Sequence, residues 1–274
     1  MNPTKLEAAG KKVISLLDQI HGLWITARAA TQRELFYKLL NVFDTQAQVN
    51  SQLQQIVKWL EIPRSCLNVF ASQKGLVAGM VTFCKGSASL DCRNAGTGIL
   101  VSETLLEVDR IESKASYIVV VEKEAVFQTL TEQQIWNILF FCMTARKNMM
   151  AAQCGYVGDF DPHGISIFLS YQYGSSVFEG RSLSCVDLHW IGMCSEDLER
   201  LPAETRLSLS GRDRALLQNL FDHPTVKCCE RLKQQCIFML HHDTKFEIEA
   251  IASLGLDYLG RYYIPSRILK RTWI

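Results

Sequence analysis

The chain has no hydrophobic run long enough to cross a bilayer. Its longest apolar stretch, Ile135 to Met143, is interrupted by Asn137 and falls far short of the roughly 20 residues a spanning helix needs. No membrane partner is therefore expected, and the N-terminus carries no apolar leader of the secretory kind. No Gly-x-x-x-x-Gly-Lys-[Ser/Thr] loop occurs, which excludes ATP hydrolysis by this chain. None of the ten cysteines forms a Cys-x-x-Cys pair, and several, such as Cys142 and Cys236, sit inside apolar runs. That usage suits a reduced intracellular compartment, with cysteine acting as a small core residue; the vicinal pair Cys228-Cys229 is assigned no chemistry. Excess charge is missing too. With 29 Lys and Arg against 28 Asp and Glu, the net charge of +1 advertises no polyanionic partner, so binding to nucleic acid must come from local patches or from assembly with a second chain.

What remains is a globular composition, 48% hydrophobic and 21% charged, in 274 residues: one large domain or two ordinary ones. Lys5 to about His21 has apolar residues at helical spacing (Val13, Leu16, Leu17, Ile20), with Gly22 as its end. Thr31-Gln32-Arg33-Glu34 reads as a capping box that opens a helix to about Phe43. A third helix covers about Gln48 to Leu60, stopped by Pro63. Leu67 to Ala71 and Leu76 to Phe83 read as two strands around a Ser72-Gln73-Lys74-Gly75 turn, and Lys85 to Thr97 as a loop. Helices followed by a β-hairpin describe a winged-helix module, in which Arg64 and Lys74 sit where such a module meets backbone phosphate. Ordinary solvated loop charges fit those two positions equally well.

On the second helix Leu35, Phe36, Leu39, Leu40, Val42 and Phe43 cover one arc of the wheel. Arg33, Tyr37 and Asn41, four apart, line the opposite polar arc. Tyr37 is therefore expected outside the core, one turn from an arginine. A half-exposed surface tyrosine satisfies that placement. So does a nucleophile whose target anion is held by Arg33, although a phenol with a pKa of ~10 needs a nearby cation or base and a strong electrophile.

The second half, from about Glu107, alternates strands with helices, which predicts an α/β sheet with ligands at the C-terminal ends of its strands. Tyr117 to Val121 is a buried strand that runs into Glu122. Helices follow at Ala125 to Leu130 and Ile165 to Tyr173, then a strand at Val186 to Ile191. Three charged helices are expected at Gly211 to Phe221, Lys227 to Leu240 and Thr244 to Leu254. Ahead of the Ile165 helix lies the acidic turn Tyr156-Val157-Gly158-Asp159-Phe160-Asp161-Pro162-His163-Gly164. If extended geometry persists to Asp161, Asp159 and Asp161 point the same way and can share one cation. Carboxylate oxygens suit Mg²⁺, which keeps several waters and uses one or two carboxylates. Acidic turns beside a proline are also common as solvated loops. His163 is close enough to this turn to touch phosphate, whereas His241-His242-Asp243 reads as a loop or helix start rather than a metal site.

Taken together these stretches resemble the topoisomerase VI A-subunit family. Arg33-Glu34-Leu35-Phe36-Tyr37 is similar to its Arg-Glu/Asp-x-Tyr-Tyr motif, and Lys74-Gly75-Leu76-Val77-Ala78-Gly79 to its wing. Val120-Val121-Glu122-Lys123-Glu124-Ala125-Val126-Phe127 and Asp159-Phe160-Asp161-Pro162-His163-Gly164 resemble its Toprim blocks. Lys245-Phe246-Glu247-Ile248-Glu249-Ala250, with the tail from Tyr263-Ile264-Pro265 to Trp273-Ile274, is similar to the eukaryotic meiotic members, which initiate recombination. The resemblance implies a winged-helix domain over 1–106 carrying the catalytic Tyr37 with Arg33 on the scissile phosphate. It implies a Toprim domain with a C-terminal extension over 107–274, holding Mg²⁺ on Glu122, Asp159 and Asp161. It further implies double-stranded DNA as substrate, with contacts from Arg64, Lys74 and His163. A homodimer, a topoisomerase VI B-like partner and a nuclear location complete the expectation. The alternatives are the A-subunit of a decatenating topoisomerase VI and a non-catalytic DNA-binding relative. Two departures stand out: Phe36 replaces the first tyrosine of the pair, and the stretch from Phe127 to Asp159 is shorter than the family's. Only Thr144-Ala145-Arg146 stands in place of the Gly-Lys-Gly-x-Pro-Asp-x-x-Thr-Arg segment.

Overall fold

The computed structural model describes residues 3–62, 64–70, 75–101, 105, 108–138, 140–143, 153–173 and 188–274. The chain forms two compact units, which part between Gln73 and Lys74. In the first unit, α1 (Pro3–Ile25) leads to the short strand β1 (Ala30–Thr31), then α2 (Gln32–Lys38), α3 (Gln46–Leu60), a 3-10 turn (Arg64–Leu67) and β2 (Val69–Phe70). β1 and β2 pair in parallel, Ala30 opposite Val69. Gly22 does not end α1. Leu16, Ile20 and Leu23 carry the buried stripe past it, and that packing outweighs the roughly 1 kcal/mol propensity cost of an interior glycine.

α2 opens as expected: Thr31 Oγ1 accepts from Glu34 N–H, and Glu34 Oε2 accepts from Thr31 N–H at 2.6 Å. It stops at Lys38 rather than near Phe43. Leu39 N–H is shared between the carbonyls of Leu35 and Phe36, and this tightening ends the helix. Leu35, Leu39 and Phe43 still reach the core, but Leu40 is turned out to solvent, so the single apolar arc holds only as far as the helix does. Thr45 caps α3, whose Val49, Leu53, Ile56 and Val57 complete the core with Leu67 and Val69.

The hairpin expected around Ser72–Gly75 is not formed by the described residues. β2 takes β1 as its partner, while the strand expected over Leu76–Phe83 is cut at Gly79, which has φ +109°. It becomes β3 (Leu76–Ala78) and β4 (Val81–Lys85), which enter two different sheets of the second unit. The compact units accordingly part near 73. The Lys85–Thr97 stretch, expected as loop, contains β5 (Ala88–Asp91), paired with β4 across a two-residue turn at Gly86, φ +57°. Its side chains are almost all exposed, so no alternating pattern marked it.

Within the second unit β7 (Arg110–Ser113) pairs with the other edge of β4, making a three-stranded antiparallel sheet in the order β5-β4-β7. The larger sheet has six strands. It adds β6 (Ile99–Leu100), β8 (Tyr117–Val121), β9 (Phe140–Met143), β10 (Gln153–Val157) and β11 (Leu188–Gly192), in the order β11-β10-β8-β9-β3-β6. β9, β8, β10 and β11 run parallel, and β3 and β6 are antiparallel additions at one side. Ile118, Val119, Val120 and Val121 are all buried, as a strand covered on both faces requires. Helices α4 (Glu124–Glu132), α5 (Pro162–Tyr173), α6 (Gly211–Asp222), α7 (Pro224–Cys228), α8 (Glu230–His242) and α9 (Ile264–Leu269) complete the unit. The third expected charged helix is a 3-10 segment, Ile248–Leu254. His241 and His242 form the last turn of α8 rather than a loop. No described helix is long and apolar enough to cross a membrane.

Candidate functional site

The parallel register fixes the acidic residues. Val121 lies opposite Val157, so β8 and β10 end level, and Glu122 N–H donates to Val157 O at 3.1 Å. Glu122 and Asp159 thus emerge at the C-terminal ends of neighbouring parallel strands, the usual ligand edge of an open α/β sheet. Extended geometry does not persist to Asp161. β10 ends at Val157, Phe160 makes an isolated antiparallel bridge with Phe246, and Asp161 turns the chain into α5. Asp161 Oδ1 accepts from Gly164 N–H at 2.6 Å, and Pro162 takes the first helical position, where a missing N–H is harmless. Asp161 is a helix cap as well as an acid beside the site.

Each carboxylate has partners. Glu122 Oε2 accepts from Tyr156 Oη at 2.7 Å and from Asp159 N–H at 3.4 Å. Burial pushes Glu122 above the usual carboxylate range, the charges of Asp159 and Asp161 push the same way, and the Tyr156 bond partly opposes both. Asp159 is buried. Its Oδ1 accepts from Ile248 N–H at 2.8 Å and its Oδ2 lies 3.1 Å from Lys123 Nζ. Burial raises its pKa against those two stabilising contacts, with Asp161 adding to the rise. Lys123 Nζ also meets Glu249 Oε2 at 2.7 Å and Glu247 Oε2 at 3.3 Å. Burial disfavours the Lys123 charge, but bonds to Glu249 and Asp159 outweigh it and raise the ammonium above its ordinary value.

The donor set has the chemistry for a hard cation, being all carboxylate oxygen with mutual repulsion that a positive ion would relieve. The arrangement does not. Both oxygens of Asp159 are engaged, one of them by an ammonium, and no three His, Cys, Asp or Glu side chains among the described residues converge on a metal-sized position. As placed, Glu122, Asp159 and Asp161 do not form a metal cage.

Tyr37 belongs to the first unit. Its side chain is 55% exposed, and its Oη accepts from Arg33 Nη2 at 3.3 Å. The Arg33 guanidinium also stands 5.7 Å from the Tyr37 ring centroid. Phe36, in the position of the first tyrosine, is half-buried against the core of the first unit. An exposed phenol one turn from a guanidinium combines the two groups that attack on an anion would call for, a hydroxyl and a cation beside it.

Of the residues expected to contact DNA, Lys74 lies outside the described residues, and Arg64 opens the 3-10 turn after α3. His163 is exposed on the first turn of α5, with Nε2 at 3.8 Å from Asp213 Oδ1. Sequence reasoning passed over Lys123, Tyr156 and Gly158 as actors. A β-carbon at Gly158 would collide with Glu122 Oε2 and with the Tyr156 ring, so the glycine is what admits the Glu122–Tyr156 contact. Its one signal in the sequence is a side-chain-free residue between a strand and two acids.

Comparison with known proteins agrees with this layout. The Toprim domain of the topoisomerase 6 A-subunit/Spo11 family matches residues 117–268, and the family described as type IIB DNA topoisomerase matches residues 11–69. The A3-subunit of DNA topoisomerase 6 from Oryza sativa subsp. indica is 30% identical over 94% of this chain and 63% of its own length. The meiotic recombination protein SPO11 of Homo sapiens is 27% identical over 96% of this chain and 72% of its own. The A-subunit of DNA topoisomerase 6 from Arabidopsis thaliana is 28% identical over 94% and 65%. The chain thus spans a little under two thirds of these two topoisomerase proteins. The Toprim match alone covers more than half of the chain, from the strand before Glu122 to the helix that closes the second unit, and on that ground the chain belongs to the topoisomerase 6 A-subunit/Spo11 family.

Proposed function

We propose that this chain forms meiotic DNA double-strand breaks by tyrosine transesterification and so initiates recombination. Tyr37 Oη attacks the phosphorus of a backbone phosphodiester. The new Tyr–O–P bond forms as the P–O3′ bond breaks, the phenolic proton leaves, and the departing 3′ oxygen takes up a proton. The products are a 5′-phosphotyrosyl link and a free 3′-OH. Because the link retains the energy of the broken ester, no ATP is consumed in the cut. Arg33 balances charge on the phosphate as the attack proceeds.

The observation that carries this reading is the exposed Tyr37 phenol bonded to Arg33 at 3.3 Å in a helix that a capping box fixes at its start. In the same reading α2 and α3 are the helix-turn-helix part of a winged-helix domain over 1–106, with Arg64, Lys74 and His163 on DNA phosphates. The Toprim domain and C-terminal extension make up 107–274. The substrate is double-stranded DNA in the nucleus, the active form is a homodimer, and a topoisomerase VI B-like partner assists. Mg²⁺ on Glu122, Asp159 and Asp161 belongs to this reading only on condition that the arrangement at Lys123 changes.

The test is recovery of covalent protein–DNA complexes from meiotic cells under denaturing conditions, end-labelled at the 3′-OH. A labelled band for wild type that Tyr37→Phe abolishes is the expected result. No band from either chain, with both expressed and bound to chromatin and the partner present, would favour a non-catalytic DNA-binding relative. A requirement for an ATP-hydrolysing partner that passes a second duplex would favour decatenation.

A further inference from the structure

The acidic centre already holds a cation of its own. Lys123 follows Glu122 at the end of β8, and its ammonium lies within 3.3 Å of carboxylate oxygens of Asp159, Glu247 and Glu249. The last two belong to a segment fastened to the acidic turn from the other side. Phe160 and Phe246 exchange both backbone hydrogen bonds, at 3.0 and 3.1 Å, and Ile248 N–H reaches Asp159 Oδ1. Asp159 is therefore gripped twice, by a backbone amide that cannot leave without unzipping the bridge and by a side chain that can. We propose that Lys123 is the resident counter-cation of this centre: it closes Asp159 against the Glu247–Glu249 segment, and a divalent cation gains Asp159 only by displacing it.

The geometry gives the displaced lysine somewhere to go. Glu247 and Glu249 are far more exposed than Asp159, with side-chain exposures of 60% and 46% against 11%. A lysine that swings outward keeps two carboxylate partners and gives up only the buried one. Asp159 keeps its Ile248 N–H and frees Oδ2, while Glu122 stays tied to the same turn through the Asp159 N–H. The exchange replaces a single charge with a double one among carboxylates that repel each other, which favours it. The cost is the loss of one charge-assisted hydrogen bond.

This inference rests on the assignment of Glu122, Asp159 and Asp161 as cation ligands, and its test does not use DNA cleavage. Mn²⁺ is titrated into the full chain, with the free ion followed by electron paramagnetic resonance. Lys123→Met is expected to bind Mn²⁺ roughly tenfold tighter than wild type, as removal of a unit charge a few ångströms from a divalent ion requires in a water-like dielectric. Lys123→Arg, which keeps the charge, binds no tighter than wild type. A folded Lys123→Met chain that binds Mn²⁺ no tighter than wild type overturns the proposal, as does tighter binding by Lys123→Arg. Should Lys123→Met fail to fold, acetylation of Lys123 in the wild-type chain, read by mass spectrometry, decides. Labelling that rises severalfold on addition of Mg²⁺ supports displacement, and unchanged labelling overturns it. Tighter binding by Lys123→Met without any covalent DNA complex from wild type would sink the cleavage reading and leave this one standing.

Discussion

Tyr156 and Glu122 meet through a 2.7 Å hydrogen bond at the end of the parallel sheet, and the tyrosine is the fixed member of the pair. Its ring is fully buried among Phe168, Tyr171 and Trp190, with centroids 5.3 to 6.0 Å away. Burial, reinforced by the Glu122 charge, pushes its pKa well above the phenol's ordinary value, so it stays a donor. Glu122 is only half-buried and is held by it.

Removing that donor tests the pair directly. Tyr156→Phe leaves the aromatic cluster in place but deprives a partly buried carboxylate of its hydroxyl. The expected loss is about 1–3 kcal/mol, the range for a buried polar group left without its partner, measured by urea denaturation. Gly158→Ala attacks the same contact from the backbone. The new methyl meets a ring that cannot retreat, so Glu122 must swing away, at a cost of ~1–3 kcal/mol. If Gly158→Ala proved neutral, the close approach of Glu122 to Tyr156 would be wrong.

The first unit has a comparable dependence on one residue. α2 is only seven residues long, too short to hold itself together by propensity, and it carries both Arg33 and Tyr37. Thr31→Ala removes one half of the capping box and leaves Glu34 N–H without its acceptor. A loss of ~1 kcal/mol is expected, with faster amide exchange across residues 32–38. Unchanged exchange there would mean that core packing through Leu35 alone fixes the helix.

Asp213 supplies a pH test in the second unit. It is buried, receives Lys245 Nζ at 2.8 Å and bonds Ser210 at the start of α6. Burial alone would raise its pKa, but the Lys245 and Ser210 bonds outweigh it and hold the group down at about 2. A depressed folded value means the unfolded chain binds the proton first, so the contribution is complete above ~3.9 and is lost as pH falls through about 2. Wild type should therefore exceed Asp213→Asn in stability by a constant margin at neutral pH, and the margin should shrink between pH 4 and pH 2. Glu122 and Asp159, raised by burial, slope the other way: their contribution is present below the ordinary carboxylate range and fades as pH rises through their folded values. A margin that stayed flat in acid would place the Lys245 contact elsewhere.

How much of this was legible in the sequence followed the reach of each interaction. The Thr31–Glu34 capping box is complete within four residues, and the buried strand before Glu122 is a run of apolar side chains; both could be read directly. Strand partners could not. Leu76–Ala78 reads equally well as half of a local hairpin or as an edge of a distant sheet, and only its pairing with Met143, Cys142, Ile99 and Leu100 decides. Glu122 and Asp159 stood out because they follow strand ends, and Asp161 because it shares the acidic turn with Asp159. What holds them was hidden, since Lys123 meets Glu249 across 126 positions and Tyr156 meets Glu122 across 34. The wheel placed Tyr37 correctly on the polar side but was carried too far along the chain: Leu40 lies beyond the end of the helix at Lys38 and points outward.

The wheel also sets the condition under which Tyr37→Phe means anything. Tyr37 is 55% exposed, and its bond with Arg33 is exposed as well. Exposed polar pairs of this kind contribute little, and substitutions outside the core usually stay within about 0.5 kcal/mol. Tyr37→Phe keeps the ring, its contact with Phe36 at 5.6 Å and the guanidinium 5.7 Å from its centroid, and it loses only the hydroxyl. Its melting curve should overlay that of wild type to within about 2 °C. Arg33→Ala gives up the hydrogen bond and a cation–π contact of ~0.5–1 kcal/mol at an exposed site, so it too should fold. Loss of covalent DNA linkage in both variants, with melting unchanged, would then belong to chemistry at the phenol. A Tyr37→Phe chain that melted several degrees lower would show instead that the hydroxyl supports the helix, and the missing linkage would no longer identify a nucleophile.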